Sequence, residues 1–506
     1  MKSLPPEPAI EVVARDVTAT EASLARTDAA IFVLDRSHAA AALRKLPHAP
    51  IWSALYRAAK QASPAPVLVT RLPNARHTLA VVGFAKPGAS GFERLDLAGK
   101  LAREALKPGV ARLSVHAPAL AAADQPPMLE ALLSAALATA APMPERKSRR
   151  SRGSDLRRID VAARPNAAFE RSVAMAEGNH LARWLTALPP NELDCVGYRR
   201  TLRQLAGREG WRFHFYDEAA LKRLGAGAFL AVSRANPHRG AGIVRLTYRP
   251  RRRSRQRLAL VGKGICFDTG GINLKPHRGM YLMHGDMQGS AVAVGTLLAL
   301  DRMAAPYTVD CWLALTENQI GPDAYRPQDV VAAMNGVTIQ VVHSDAEGRM
   351  VLADTLALAS RAKPDLVLDF ATLTGACVNA LTERYSGAFT NRSVLHDWLQ
   401  STGRDSGERV WCFPIDEDFD AELDSPIADV LQCSLENKGD HILAARFLSR
   451  FVAADIPWVH VDLSAAERKG GLAHIPTEFT GFGVRYAVHL LSDAARLGEQ
   501  LTKATA

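Results

Sequence analysis

The chain has 506 residues, of which 48% are hydrophobic and 23% are charged, the balance of an ordinary globular protein. This composition excludes global disorder, a collagen-like repeat and a small disulfide-stabilised scaffold, and the length predicts about two to four domains. Six scattered cysteines without a CxxC pair favour reduced thiols. The sequence shows neither an apolar run of the roughly 18 residues that span a membrane nor the apolar stretch of a signal peptide. We therefore expect a cytoplasmic protein.

The net charge of +10 is concentrated in two short segments. Residues 145–158 carry a net charge of +5, and residues 249–257 carry +6. Both segments are consistent with solvated loops, and both are also consistent with a phosphate-binding or nucleic-acid-binding patch. No aromatic residue interrupts the arginine runs, so the sequence does not indicate base stacking on them.

Three regions follow one another along the chain. Residues 1–140 alternate apolar runs with helical stretches and predict a small N-terminal α/β domain. Residues 141–163 contain prolines and then many basic residues, and they predict a basic linker. Residues 164–506 predict a larger α/β domain, which we expect to be catalytic.

The larger region contains apolar runs typical of buried strands. Helical stretches separate most of these runs, which predicts a mixed, mostly parallel sheet covered by helices on both faces. Ligands bind such sheets at the carboxyl ends of the strands, and polar residues cluster there in this sequence. The predicted strands are residues 257–264, 309–315, 338–342, 365–372 and 458–463.

Two polar segments follow these strands. The first is VGKGICFDTGG (261–271), with Lys275 and Asp286 shortly after it, and the second is HSDAEGRM (343–350). In an extended backbone Asp345 and Glu347 would point to the same side, and we expect Gly348 to let the chain turn into the next helix.

Several carboxylates that converge on one site need neutralisation, because burying unpaired charge is costly. Oxygen ligands without histidine suit Mn²⁺, Mg²⁺ or Zn²⁺. Lys263 would join them only as a neutral amine, which nearby dications favour. Taken alone, DAEGR is also consistent with a helix start at which acidic residues interact with the helix dipole. Its combination with the first segment favours the metal site.

With these motifs in this order, the sequence resembles the leucyl aminopeptidase family, the dinuclear-metal cytosolic exopeptidases. The resemblance runs from about Leu181 to the C-terminus. Its further segments are TALPPNELD (186–194), LKRLGAGAFLAVSRA (221–235), YRPQDV (325–330), SDAEGRMVLADTL (344–356), ATLTGAC (371–377) and RFLSRF (446–451).

The resemblance implies a role for each matching residue. One divalent ion, Mn²⁺ or Zn²⁺, would be held by Lys263, Asp268, Asp286 and Glu347, and a second by Asp268, Asp345 and Glu347. Lys275 would act as an electrophile on the scissile carbonyl, and Arg349 would hold a bicarbonate ion that serves as general base. The substrate would contact Met283, Thr372, Leu373 and Gly375.

The implied activity is removal of the N-terminal residue from peptides with a free N-terminus by a metal-activated bridging water. The family also implies a homohexamer. An alternative is a DNA-binding or regulatory protein on the same scaffold, which would use the Arg-rich segments 145–158 and 249–257. Salt-dependent DNA affinity that is lost when these segments are neutralised would favour that alternative.

The sequence departs from the family pattern away from the implied ligands. His343 is either a loop histidine or a contact to a metal-binding residue. Asp440-His441 replaces small residues before a helix. Glu467 either points into the specificity pocket, where it would pair with an N-terminal Arg or Lys, or turns outward to meet Arg468 or Lys469. These departures bear on substrate preference.

Overall fold

The structure is a computed structural model that describes residues 4–6, 10–61, 65–149, 153–252, 254, 256–436 and 438–505. The strands of the described residues are β1 (Glu11–Ala14), β2 (Ala29–Asp35), β3 (Leu68–Arg71), β4 (Leu79–Ala85), β5 (Arg112–His116), β6 (Arg158–Val161), β7 (Arg212–Asp217), β8 (Gly242–Tyr248), β9 (Arg257–Asp268), β10 (Thr308–Asn318), β11 (Val330–Ala332), β12 (Thr338–Gln340), β13 (Leu366–Ala371), β14 (Ser386–Thr390), β15 (Val410–Cys412), β16 (Val430–Leu431) and β17 (Trp458–Asp462).

The α-helices of the same residues are α1 (Glu21–Leu24), α2 (Ala39–Leu43), α3 (Ala49–Ala59), α4 (Gly91–Ala105), α5 (Gln125–Ala140), α6 (Ala167–Thr186), α7 (Cys195–Glu209), α8 (Glu218–Leu224), α9 (Gly227–Ser233), α10 (His277–Met280), α11 (Gln288–Arg302), α12 (Glu347–Ser360), α13 (Gly375–Leu381), α14 (His396–Ser406), α15 (Asp440–Ser449), α16 (Val484–Leu491) and α17 (Ala494–Thr505). None of the helices in these described ranges has the length and apolar character that a bilayer crossing requires.

The first region of the chain forms a six-stranded sheet in the order β1-β6-β5-β2-β4-β3. Its strand pairs are parallel except for β3 with β4. Strand β6 lies inside the segment 141–163 that we predicted as a linker. In this strand Ile159 and Val161 are buried while Arg158 and Asp160 are partly exposed, the period-two pattern of a half-buried strand. Four residues are too few for that pattern to stand out beside a basic run. The domain boundaries stay a prediction.

The second region contains an eight-stranded mixed sheet in the order β15-β14-β17-β13-β9-β10-β8-β7. Its central strands β17, β13, β9 and β10 are parallel, while β8, β7 and β14 supply the antiparallel pairs. Three further strands form a separate sheet in the order β11-β12-β16. The predicted α/β class with a mixed sheet is confirmed.

The central strands are buried on both faces because consecutive side chains point to opposite sides. In β9, Leu258 and Leu260 pack into the same cluster as residues of α6, α11 and α16. Ala259 and Val261 pack into the cluster that holds residues of α9, α12 and α15. The helices therefore cover both faces of the sheet, and the loops at the carboxyl ends of β9 and β13 remain available for a site.

Candidate metal centre

The polar segments that follow the strands converge on one cavity of about 960 Å³. Lys263 lies inside β9 and Asp268 ends it, whereas Glu347 is the first residue of α12. The cavity is lined by all eleven predicted site residues, namely Lys263, Asp268, Lys275, Met283, Asp286, Asp345, Glu347, Arg349, Thr372, Leu373 and Gly375.

The backbone that carries Asp345 and Glu347 differs from our expectation. Ala346 between them has φ −106° and ψ 35°, so the segment turns there and is not extended. Both carboxylates nevertheless line the same cavity. Gly348 is already inside α12 and does not form the turn. A Cβ at Gly348 would lie 2.6 Å from Lys263 Nζ, so the glycine is needed for the close approach of the lysine.

Lys263 is buried among groups that attract its ammonium. Its Nζ lies 2.9 Å from Asp286 Oδ2 and 2.8 Å from Glu347 Oε1, and it donates a hydrogen bond to the carbonyl of Thr372 at 2.9 Å. Burial alone would lower the pKa of Lys263, but the carboxylates of Asp286, Glu347 and Asp268 raise it overall. Without a cation in the site, Lys263 is the ammonium that balances two carboxylates.

Lys275 forms a second bridge on the other side of the cluster. Its Nζ lies 2.9 Å from Asp268 Oδ2 and 2.6 Å from Asp345 Oδ1. Burial opposes the charged form of Lys275, yet the charges of Asp268, Glu347 and Asp345 raise its pKa. The two lysines therefore contact different pairs of the four carboxylates.

The pKa values of three carboxylates in the cluster are raised as well, which for a carboxylate disfavours the charged form. Burial is the largest cause that raises the pKa of Asp286, Asp345 and Glu347, and the charge of Asp268 adds to it for each of them. Lys263 lowers the pKa of all three carboxylates and Lys275 that of Asp345 and Glu347, but the lysines do not cancel the increase. The site is therefore short of positive charge.

The donor set fits divalent cations. Asp268, Asp286 and Glu347 each offer one oxygen, and these oxygens lie within 4.8 Å of one another. Asp286 Oδ2 accepts no hydrogen bond of good geometry from the described residues, although Lys263 Nζ is close. Four carboxylates against two ammonium groups leave a formal charge of −2 before any ion binds. Unsatisfied buried oxygens and excess negative charge are what a hard cation removes.

Neighbouring side chains hold the carboxylates in place. Asn318, the last residue of β10, donates from Nδ2 to Asp268 Oδ1 at 2.8 Å and to the carbonyl of Ser344 at 3.0 Å. Thr372 Oγ1 donates to Asp286 Oδ1 at 2.6 Å. We did not predict Asn318. Its signal was available, because it ends a strand that runs parallel to β9 and follows a predicted apolar run.

His343 contacts a predicted metal ligand through the backbone. Its Nδ1 accepts a hydrogen bond from the N–H of Asp345 at 3.2 Å, and burial lowers its pKa. Of the two alternatives left open by the sequence, this contact favours the one in which His343 orients a ligand residue.

Arg349 does not present a free guanidinium to the cavity. Its Nη2 donates to both carboxylate oxygens of Asp440 at 2.8 Å, and its Nη1 donates to the carbonyl of Gln432 at 3.2 Å. The sequence singled out Asp440 as a departure but did not pair it with Arg349, since 91 residues separate them.

The predicted substrate contacts Met283, Thr372, Leu373 and Gly375 line the cavity. The N–H of Leu373 already donates to Asp462 Oδ1 at 3.1 Å, so its carbonyl is the group left for a peptide. Glu467 also lines the cavity. Burial raises the pKa of Glu467, and the charges of Glu478 and Glu383 raise it further. Glu467 therefore faces other carboxylates in the cavity.

The sheet and the buried cluster of carboxylates and lysines define an α/β protein with a candidate metal centre. The sequence profile described as "Cytosol aminopeptidase family, catalytic domain" matches residues 180–488. The chain belongs to the cytosol aminopeptidase family, which confirms the resemblance seen in the motifs.

Relatives and solved structures agree with this assignment. A "Probable cytosol aminopeptidase" of Corynebacterium diphtheriae is 40% identical over 323 residues, 63% of this chain and 64% of the relative. Another of Afipia carboxidovorans is 39% identical over 335 residues, 66% of each chain. The matches thus span slightly less than two thirds of these relatives. The structure "Bottromycin maturation enzyme BotP in complex with Mn" has a TM-score of 0.80 at 30% identity and covers 92% of this chain and 98% of that one.

Proposed function

We propose that this chain is a metal-dependent aminopeptidase, a hydrolase that removes the N-terminal residue from peptides with a free N-terminus. One observation carries the proposal. Lys263, Asp268, Asp286, Asp345 and Glu347 face a single cavity together with Lys275, in a family named for this activity. The cavity is large enough for several residues of a peptide.

Two divalent ions would be held by the ligand sets that the resemblance implies, with Asp268 and Glu347 shared between them. When bound, such ions polarise a carbonyl and generate a nucleophile from water at neutral pH. Mn²⁺ is supported by the solved relative that contains it, and Zn²⁺ is the alternative. A neutral substrate amine suits such a site, which favours an exopeptidase.

Lys275 is proposed as the group that stabilises negative charge on the reacting carbonyl oxygen. Its ammonium is held by Asp268 and Asp345, and its raised pKa keeps it charged. A fixed cation in a site that excludes water stabilises charge that develops in the transition state more than charge in the ground state.

The carbonyl of Leu373, the backbone at Thr372 and Gly375, and the side chain of Met283 would contact the peptide. The bicarbonate that the resemblance places at Arg349 is not favoured by the geometry, because Asp440 already binds the guanidinium. A homohexamer and a cytoplasmic location remain proposals from the resemblance.

Two described arginines of the first Arg-rich segment are already paired with carboxylates of the chain. Arg146 pairs with Glu192 through two hydrogen bonds, and Arg158 pairs with Glu11 and Asp160. Residues 150–152 of the first Arg-rich segment, and Arg253 and Arg255 of the second, lie outside the described residues. DNA binding stays a prediction that salt-dependent anisotropy titrations would test.

Hydrolysis of a panel of aminoacyl-arylamides tests the proposed function. We expect a chelator to abolish hydrolysis and Mn²⁺ or Zn²⁺ to restore it. N-acetylated versions of the same substrates are the matched control and should not be cleaved, since they lack the free amine. Full activity in a preparation shown to be free of metal would contradict the proposal.

A further inference from the structure

The pair formed by Arg349 and Asp440 is part of the cavity wall. Both residues line the cavity, and their side chains are 2% and 18% exposed, respectively. Two 2.8 Å hydrogen bonds join Nη2 to the two carboxylate oxygens. Asp440 is the first residue of α15, where helix N–H groups also favour a carboxylate.

The pair disfavours a second anion on Arg349. Asp440 uses Nη2 and the carbonyl of Gln432 uses Nη1. Two N–H groups of the guanidinium remain, the second one of Nη1 and the buried one of Nε. An added anion would also meet the negative charge of Asp440. The negative group at Arg349 therefore comes from the chain itself.

Asp440 is joined to the helix that carries Glu347, because its partner Arg349 lies two residues after Glu347 in α12. His343 lines the same cavity, and its ring accepts a hydrogen bond from Asp345 N–H. Glu383, Glu467 and Glu478 also line the cavity, but Arg349 orients Asp440 and not these glutamates.

Peptide hydrolysis needs a group that takes a proton from water and gives it to the leaving nitrogen. Asp268, Asp286, Asp345 and Glu347 are assigned to the metal ions. Asp462 accepts hydrogen bonds from Leu373 N–H, Thr374 N–H and Thr374 Oγ1–H, which occupy its oxygens. Asp440 has carboxylate lone pairs beyond those that Arg349 uses, and it is oriented by that bond.

We propose that Asp440 is the proton-transferring carboxylate of this site, fixed by Arg349, and that the enzyme needs no bicarbonate or other external anion. The proposal rests on the proposed aminopeptidase function and adds a catalytic residue to it.

The chemistry balances with this single carrier. The oxygen of water bonds to the scissile carbonyl carbon, and one proton of the water passes to Asp440. The carbon–nitrogen bond then breaks, and Asp440 gives that proton to the leaving nitrogen. The second proton of the water stays with the released carboxyl group, and Asp440 returns to its starting form.

Chemical rescue of the Mn²⁺-loaded protein tests the proposal. In bicarbonate-free buffer, Asp440→Ala should lower kcat by about 10²–10⁴-fold, with the bound Mn²⁺ per subunit unchanged. Formate or bicarbonate should restore part of kcat in Asp440→Ala, because each fits the space of the missing carboxylate. Asp440→Asn is the matched control: it fills that space, cannot accept the proton, and should be neither active nor rescued.

A second measurement does not depend on catalysis. Formate should raise the melting temperature of Mn²⁺-loaded Asp440→Ala, in which Arg349 lacks its carboxylate partner, and should leave that of the wild type unchanged.

The outcomes distinguish failure of the proposed aminopeptidase function from failure of the proposed role of Asp440. If wild type with Mn²⁺ hydrolyses no arylamide, the proposed function fails. With an active wild type, the role of Asp440 is overturned by full activity of Asp440→Ala, by loss without rescue by formate or bicarbonate, or by stimulation of the wild type by bicarbonate. A loss in His343→Gln that Asp440→Ala does not share would assign the proton to His343 and would also overturn it.

Discussion

Asp28 in the first region of the chain and Asp286 in the second have opposite environments. Asp28, just before β2, accepts hydrogen bonds from the N–H groups of Ala111 and Arg112 and from Arg76 Nε. Burial would raise the pKa of Asp28, but these donors lower it overall. The first region thus satisfies its carboxylate with its own hydrogen-bond donors.

Asp286 accepts fewer hydrogen bonds from its surroundings than Asp28 does. Thr372 satisfies Oδ1, while Oδ2 accepts no hydrogen bond of good geometry from the described residues, and burial raises the pKa of Asp286. Both regions are α/β sheets with largely parallel strands. Sheet architecture therefore does not distinguish the two regions. What distinguishes a binding site is a carboxylate that the protein leaves incompletely paired.

The largest difference in metal content and activity is expected between the variants Glu347→Ala and Asp28→Ala. Glu347→Ala should lose bound metal together with activity, and by more than the roughly 10–100-fold typical of residues that only orient a ligand. Asp28→Ala should leave metal content and kcat unchanged, because its partners lie in the other sheet. Metal analysis and arylamide kinetics of both variants measure the difference. Full metal occupancy in Glu347→Ala would break the comparison.

Asp28→Ala should instead reduce stability. It leaves the N–H groups of Ala111 and Arg112 without their acceptor, which costs about 1–3 kcal/mol. Urea unfolding of the variant and the wild type at pH 7 measures the change. A free energy of unfolding equal to that of the wild type would show that the satisfied carboxylate is not structural.

Lys275, which bridges Asp268 and Asp345, allows a test within the site itself. Lys275→Ala should retain both ions and lower kcat by about 10²–10³-fold, the usual effect of removing a donor to a developing oxyanion. Lys100→Ala is the matched control, since Lys100 forms an exposed pair with Asp96. A change in KM alone for Lys275→Ala would refute the electrophilic role.

The pKa is raised for Asp286 and Glu347 and lowered for Asp28. This difference predicts a smaller, graded effect of pH on Mn²⁺ affinity. Because burial raises the pKa of Asp286 and Glu347, protons compete with the ion as pH falls below neutral. Mn²⁺ affinity should fall on the order of tenfold per pH unit for each proton released. Asp28 has a lowered pKa and stays charged over this range, so Asp28→Ala should show the same profile. Calorimetric titrations from pH 7.5 to 5 would show a flat affinity if the prediction is wrong.

The smallest expected effect concerns the choice of N-terminal residue. Glu467 shares the cavity with Glu383 and Glu478, and an N-terminal Arg or Lys would relieve their repulsion. Glu467→Met should therefore lower the ratio of kcat/KM for Arg-arylamide over Leu-arylamide, on the order of tenfold. A ratio unchanged by the substitution would exclude Glu467 from substrate selection.

The sequence predicted the strands that position the site because each is an apolar run bounded by polar residues. The runs at 257–264 and 365–372 became β9 and β13, and the motif residues that follow them line one cavity. Strand β6 was not distinguished from a linker. It has four residues, and its partners β1 and β5 are distant in sequence.

The site was predicted as a set of residue types but not as a set of contacts. Motif spacing does not report that Asp440 reaches Arg349, because the packing of α15 against the start of α12 determines that distance. Asn318 was missed for a related reason: an isolated asparagine at a strand end becomes informative only when the register of β9 and β10 places it opposite Asp268.

The close contact at Gly348 has a consequence for engineering. Glycine in a helix costs about 1 kcal/mol relative to alanine, so a search for thermostable variants would select Gly348→Ala by helix propensity alone. The added methyl group would displace the Lys263 amine, which is held on three sides by Asp286, Glu347 and Thr372. Displacing this buried ammonium from its two carboxylates opposes the gain in helix propensity, so Gly348→Ala should disrupt the metal site without raising stability.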